Sequence, residues 1–355
     1  MKLLFYISTI RGGGAARVMS NLANGFAASG ADVTLVTSFP TENEYSLDPA
    51  VRRLNLSVQN EKSFFVRNIA WIHRLRKIIA SEKPDAVISF MAEPNYRNLI
   101  ACAGLKTKRI ISVRNDPNKE YAGTFQRMLA KSLYGFADGI VFQTEDAQKW
   151  FPKRVQKKSC IIMNQVKAEL FETNRECEEY YVALGRLAPQ KNYPMMIRGF
   201  AGFLKSQPLE QLRIYGNGDA EQYSALIQEL DAGKNIHFMG ATADVAGVLK
   251  KAKAFLMTSD YEGMPNALLE AMAVGVPCIC TDCPCGGPRA VIEDGKNGTL
   301  IPVGDANALT EALLQMDEET RKYLGGNAKL TAERFRPEKV FKMWESYIKT
   351  VIPNA

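Results

Sequence analysis

The chain has 355 residues, 46 % hydrophobic and 23 % charged, the makeup of a soluble globular protein too long for one small core, so two domains are expected. No apolar run reaches the roughly 18 to 20 residues of a membrane span, and MKLLFYISTIRGGG lacks a signal peptide's charged start and small-residue cleavage site, which points to a cytosolic chain. The net charge of +7 is uneven: residues 1–165 carry 24 Lys and Arg against 13 Asp and Glu (+11), the remainder 21 against 25 (−4), so the first half is expected to face something anionic.

KLLFYIST reads as a first buried strand, Gly12-Gly13-Gly14 as a tight turn, and about Ala15 to Ser29 as the helix that follows. DVTLVTS, PDAVISF, RIISVRN and GIVFQT supply further strands with helical patterns between them, the signature of a parallel sheet covered on both faces. From about Asn164 to Glu179 the pattern dissolves into a polar stretch suited to a linker. A second series then begins: YYVALGR, LRIYGNG, IHFMG, AFLMTS, PCICTD and GTLIPV, closed by a helix that starts at Pro337. The expected fold class is α/β, with two Rossmann-like doubly wound domains facing a central cleft that holds the ligand.

The most telling stretch is DYEGMPNALLEAMAV, which follows the strand AFLMTS. Gly263 allows close backbone approach, and Pro265 begins a helix whose first N–H groups point unpaired at the ligand, an arrangement that suits phosphate. Glu270 then lies among Leu268, Leu269, Ala271 and Met272, where a carboxylate is costly without a donor. It either meets a lysine or a backbone cap, or accepts two neighbouring hydroxyls of a ribose. Glu262, eight residues earlier, is placed to bind hydroxyls of a second sugar beyond the phosphates. LGRLAPQKN after the strand YYVALG adds Arg186 and Lys191, two cations able to stabilise a departing diphosphate without metal. The chain has no Asp-x-Asp triplet to chelate one.

Together GRLAPQK, IYGNG, EGMPNALLEAMAVGVP and TDCPCGGPR resemble the retaining glycosyltransferases of the GT4 group, whose E-x7-E signature Glu262 and Glu270 match. The resemblance covers nearly the whole chain and implies the GT-B fold, with residues 1–165 as acceptor domain, 166–337 as nucleotide-sugar domain and 338–355 as a helix crossing back to the first. It implies a UDP-sugar donor, a hexose or N-acetylhexosamine moved with retention, and a lipid-linked or oligosaccharide acceptor in polysaccharide building. No metal or other cofactor and no nucleic acid partner is implied. Glu262 would contact the donor sugar, Glu270 the ribose, and Arg186 with Lys191 the diphosphate. Gly216, Gly263, Met264, Pro265 and Asn266 complete the donor side, with the Gly13-Gly14 turn closing over it. Relatives carry a histidine where this chain has Asn115 and Asp116, which leaves those two on the acceptor side, and Gln165 replaces a common proline.

Other readings fare worse. The glycine turn has Arg17 in place of the third glycine of a dinucleotide fingerprint, and the second strand ends in Thr37-Ser38 without an acid for ribose. Cys280 and Cys283, flanked by Cys278 and Cys285, make one C-x2-C pair with no second pair or histidine, so packing is the expectation, with Gly286-Gly287 shaping a loop and Arg289 a further anion contact. Cys102, Cys160 and Cys177 read as filler, and His73 and His237 as structural. A sugar-nucleotide epimerase and a non-catalytic nucleotide-sugar binder are the alternatives. In FFVRNIAWIHRLRKII, residues 64–79, Phe65, Ile69, Ile72, Leu75 and Ile79 recur at helical spacing beside Arg67, Arg74, Arg76 and Lys77. That helix either covers the sheet or docks its basic face on the inner face of the cell membrane as a peripheral enzyme.

Overall fold

The computed structural model describes all residues except 41, 43, 58–62, 177, 178, 354 and 355, and for Phe64 and Phe65 the backbone alone. The chain divides into two compact units, Met1–Met163 with Glu338–Ala355 and Asn164–Pro337.

Unit 1 is built on seven strands: β1 (Lys2–Ile7), β2 (Asp32–Thr37), β3 (Arg52–Asn55), β4 (Ala86–Phe90), β5 (Lys108–Ser112), β6 (Gly139–Phe142) and β7 (Ser159–Ile161). They form one parallel sheet in the order β3-β2-β1-β4-β5-β6-β7. Leu3 to Ile7 of β1 are all buried, because a central parallel strand is covered by helices on both faces. Strands β3 and β7 carry no signal in the sequence. RRLN opens with two arginines and SCI is three residues long, so their hydrogen-bonded neighbours, and not their own pattern, make them strands.

The last helix, Pro337–Val351, completes this core from the far end of the chain. Val340, Trp344 and Ile348 join Leu3, Phe5, Ile88 and Phe90 in one cluster, with the Trp344 and Phe90 rings 5.6 Å apart. The Tyr347 hydroxyl accepts from the Ile140 N–H at 2.7 Å and donates to the Lys158 carbonyl at 2.6 Å.

Unit 2 repeats the plan with β8 (Tyr180–Leu184), β9 (Leu212–Tyr215), β10 (Ile236–Gly240), β11 (Ala252–Met257), β12 (Cys278–Thr281) and β13 (Thr299–Ile301), in the order β10-β9-β8-β11-β12-β13. The stretch that reads as a linker is part of this unit. The Val166 N–H binds the Phe335 carbonyl at 2.9 Å, Leu170 and Phe171 are buried, and Arg336 lies over the Phe171 ring. Its polar composition hides two anchoring apolar residues; Cys177 lies outside the described residues. Chain order reverses at the β1/β4 pair of unit 1 and the β8/β11 pair of unit 2, the switch points where doubly wound sheets leave a crevice.

Candidate active site

In unit 2 the switch point brings together two loops that lie 71 residues apart in sequence. β8 delivers Arg186, Lys191 and Asn192; the loop after β11 delivers Thr258 to Pro265. Lys191 Nζ donates to Glu262 Oε1 at 2.6 Å, and Ser259 Oγ donates to the same oxygen at 2.9 Å. Glu262 is 7 % exposed, so this buried charge is stabilised by one ion pair and one hydroxyl, as a carboxylate out of water must be. Arg186 is exposed at the end of the same strand.

Backbone contacts hold both loops. Gln190 Nε2 donates to the Tyr261 carbonyl, the Asp260 N–H to the Gln190 carbonyl, and Asn192 Nδ2 to Asp260 Oδ1. From the other side, the Glu262 N–H reaches the Pro284 carbonyl at 2.6 Å and the Cys285 N–H returns to the Glu262 carbonyl at 2.9 Å. A Cβ on Gly287 would stand 1.8 Å from the Gly263 carbonyl oxygen, so the glycine at this position lets the loop lie against the Glu262 loop. Gly216 has the same role at the end of β9, where a Cβ would stand 1.8 Å from the Gly185 carbonyl oxygen.

The helix after the loop spans Asn266–Val274, with Pro265 as its N-cap and not its first residue. This one-residue difference follows from its ψ of 112°, extended in the way a residue flanking a helix is. Asn164 Nδ2 fixes the start, donating to the Met264 carbonyl at 3.1 Å and to Asn266 Oδ1 at 2.7 Å. Glu270 is 5 % exposed, with Leu268, Leu269, Ala271 and Met272 buried around it. Arg289 donates to Asp282 Oδ1 at 2.6 Å. Cys278, Cys280, Cys283 and Cys285 are buried, and burial pushes the Cys283 thiol up to about 12, so these side chains are packing. Among the described residues no group of three or more His, Cys, Asp and Glu side chains is arranged to hold a metal ion.

In unit 1, Gly12 and Gly13 both have positive φ (58° and 79°) and lead into the helix Gly14–Ala28. Only glycine takes the backbone of Gly13, at ψ 159°, without strain. Asp116 is 1 % exposed, and its Oδ1 accepts from the Asn118 N–H at 2.9 Å as the cap of a short helix, Pro117–Glu120. Asn115 beside it is half-buried.

Three residues at the ends of β4 and β5 escape sequence reasoning. Arg114 lies over the Phe90 ring at 4.6 Å, and burial pulls its guanidinium down to about 9. Glu120 Oε1 accepts from the Ala92 N–H at 2.7 Å; its Oε2 is buried without a hydrogen-bond partner, and burial pushes the carboxyl up to about 7. Tyr96 packs its ring on Tyr121 and Tyr134. Met91, which precedes Ala92, holds φ 76° and ψ 158°, a strained backbone for a side-chain-bearing residue. Nothing in SFMAEPNYRN marks it. His237 Nε2 meets Gln211 Oε1 at 2.9 Å, in a structural role, and His73 is exposed.

Comparison with known proteins follows the same division. The family model "Glycosyltransferase Family 4" matches residues 12–169 and "Glycosyl transferases group 1" matches residues 166–331. The chain is 28 % identical over 362 residues, 99 % of each chain, to a Campylobacter jejuni enzyme named GalNAc-alpha-(1->4)-GalNAc-alpha-(1->3)-diNAcBac-PP-undecaprenol alpha-1,4-N-acetyl-D-galactosaminyltransferase. It is 30 % identical over 287 residues, 78 % of this chain and 68 % of the relative, to the N-acetyl-alpha-D-glucosaminyl L-malate synthase of Bacillus anthracis. Among solved structures, Anabaena HepE in complex with UDP and glucose superposes with a TM-score of 0.80 at 16 % identity, covering 99 % of this chain and all of that one. Two parallel-sheet units with this chain order are the GT-B fold, and the chain belongs to the family 4 glycosyltransferases.

Proposed function

We propose that the protein transfers a hexose or N-acetylhexosamine from a UDP-sugar, with retention and without a metal ion, to a lipid-linked glycan acceptor in surface polysaccharide or glycan biosynthesis. The observation that carries this reading is the buried Lys191–Glu262 pair at the β8/β11 switch point, beside the start of the helix Asn266–Val274. The cation and the helix start face where a diphosphate would lie, and the carboxylate where the sugar beyond it would lie. As the bond from anomeric carbon to diphosphate oxygen breaks, Lys191, Arg186 and the first N–H groups of that helix neutralise the departing charge. The acceptor oxygen takes its place and its proton leaves on the diphosphate. Glu262 orients the donor sugar through its hydroxyls and Glu270 the ribose. The acceptor belongs to unit 1, near Asn115 and Asp116. The C. jejuni relative, named for an undecaprenol diphosphate acceptor, and HepE, solved with UDP, support acceptor and donor class respectively.

The test is a panel of UDP-sugars offered with a polyprenyl-diphosphate glycan in EDTA. Transfer that persists in the chelator is expected. Loss of transfer with rescue by Mn²⁺ or Mg²⁺ would overturn the metal-free mechanism, and UDP-sugar isomerisation without transfer would overturn the reaction class.

A further inference from the structure

Unit 1 carries a helix, Thr124–Leu133, whose apolar stripe faces away from its own core. Phe125, Met128, Leu129 and Leu133 follow at spacings of three and four, and Phe136 continues the stripe just beyond the helix end. A helix on a globular surface normally buries such a stripe. Here Phe125 is 67 % exposed, Met128 60 % and Phe136 63 %, while Leu129 and Leu133 are half-exposed. The helix is held to the unit by Ala130 and by Tyr134 in the turn that follows, both fully buried.

Between Tyr121 and Ala137 the charged residues are of one sign. Residues 121–137, YAGTFQRMLAKSLYGFA, contain Arg127 and Lys131 and no Asp or Glu. Arg127 is exposed, with its Nε on the Tyr121 carbonyl at 3.1 Å. Lys131 Nζ lies 4.4 Å from the Trp150 ring centre, and Arg154 Nη2 binds the Lys131 carbonyl at 3.1 Å, adding a third cation at the helix end. An exposed phenylalanine and methionine ringed by fixed cations complement an anionic lipid surface, in which the rings enter the acyl boundary while Arg and Lys meet headgroup phosphates. A second copy of the same stripe would set cation against cation.

We infer that the outward stripe of Thr124–Leu133 is the surface that seats the protein on an anionic bilayer. The helix Phe64–Glu82, which the sequence reads either as a cover of the sheet or as a basic docking face, is the other candidate. There Leu75 and Ile79 are buried against the sheet, and Arg74 Nη1 binds the Leu56 and Ser57 carbonyls and Arg76 Nη1 those of Ala101 and Ala103; what sets Thr124–Leu133 apart is its exposed Phe125, Met128 and nearby Phe136 beside the cations. The inference deepens the lipid-linked acceptor of the proposed function, yet its test does not depend on turnover.

The full chain is sedimented with vesicles of phosphatidylcholine alone or mixed with phosphatidylglycerol. Recovery is expected only with the anionic vesicles and falls as salt rises. Phe125→Ser with Met128→Ser should lower partitioning at least about tenfold, since each removes a large apolar side chain from the boundary. Arg127→Glu with Lys131→Glu should do the same, and Arg74→Glu with Lys77→Glu should stay within about twofold of the parent. Thermal melting and UDP titration of each variant confirm that these exposed changes leave the fold intact. Equal recovery with neutral and anionic vesicles overturns the inference, as does unchanged partitioning of the Phe125/Met128 variant. A dimer that this variant dissolves, without vesicle binding, overturns it in favour of self-association. Sugar transfer without partitioning sinks this inference alone; partitioning without UDP release sinks the functional reading alone.

Discussion

The two units share a topology and treat charge in opposite ways at the ends of their central strands. At β8 and β11, Lys191 and Glu262 face each other as ions 2.6 Å apart, with Ser259 as a third partner. At β4 and β5 burial works against charge: it pushes the Glu120 carboxyl up to about 7, raises the Tyr96, Tyr121 and Tyr134 hydroxyls, and pulls the Arg114 guanidinium down to about 9. Beside them the Tyr121 and Tyr134 hydroxyls, 2.8 Å apart, and Asn95, bridging Ser89 and the Ser112 carbonyl, form an uncharged network. Topology leaves a crevice at the same point of each unit, and burial sets the charge of the groups beside it.

The strongest way to break this contrast is at Glu262. Glu262→Gln removes the negative half of the ion pair while keeping a hydrogen-bonding side chain of the same size. Transfer should fall about 10²- to 10³-fold if Glu262 holds the sugar in the transition state. UDP alone should bind as tightly as before or more tightly, because Lys191 no longer divides itself between a carboxylate and the diphosphate. Calorimetric titration reads this directly. A variant that transfers at the parental rate, or one that loses UDP affinity together with turnover, would show that Glu262 does not separate sugar from diphosphate.

The neutral side of the contrast is tested by pH. Glu120 has a folded pKa above its ordinary 4.5, so the stability its protonated form contributes is fully present below about 4.5 and is lost as pH rises through about 7. The loss amounts to at most about 3 kcal/mol, or roughly 5–10 °C of melting temperature for a domain of this size. Glu120→Gln cannot ionise and still offers an oxygen to the Ala92 N–H, so its melting temperature should lack that decline between pH 5 and 8. Parallel melting curves for parent and variant over this range would place Glu120 in the ordinary carboxylate range and remove the contrast.

Legibility in the sequence followed the same line. The loop before the helix Asn266–Val274 could be read because local chemistry and local geometry coincide there: Gly263, Pro265 and Asn266 lie within four residues, and AFLM at the end of β11 is an apolar run. The pairing of Lys191 with Glu262 was not legible, since only the parallel order of β8 and β11 makes residues 71 apart into neighbours. Gly287 shows the same limit. Its sequence reads as a loop glycine, and the reason for it is a carbonyl on another loop. In unit 1 the misses are the buried groups. Glu120 ends PNKE like any solvated helix residue, and only the fold places it against the Ala92 N–H. The helix Phe64–Glu82 was legible as amphipathic, but periodicity does not say which face turns inward: Ile69 is 68 % exposed where Leu75 is buried, and the Phe65 side chain lies outside the described residues.

The smallest expected effect belongs to Glu270 and sharpens the division of labour within unit 2. It lies one turn into the helix Asn266–Val274 and is 5 % exposed, and on the proposed reading its carboxylate serves binding through ribose hydroxyls and not charge neutralisation at the reacting bond. Two hydrogen bonds from a ribose to a carboxylate are worth about 1.5–3 kcal/mol each at best, of which much is returned when water refills the gap left by alanine. Glu270→Ala should therefore weaken UDP about tenfold, near 1.4 kcal/mol, and lower transfer through KM while kcat changes little. Uridine should lose as much affinity as UDP, because the contact is to the sugar of the nucleoside, whereas inorganic diphosphate should lose none. That ratio of three ligands is the decisive reading. If diphosphate weakens as much as UDP, Glu270 acts on the helix start and its N–H groups, and the ribose assignment falls even though nucleotide binding has changed.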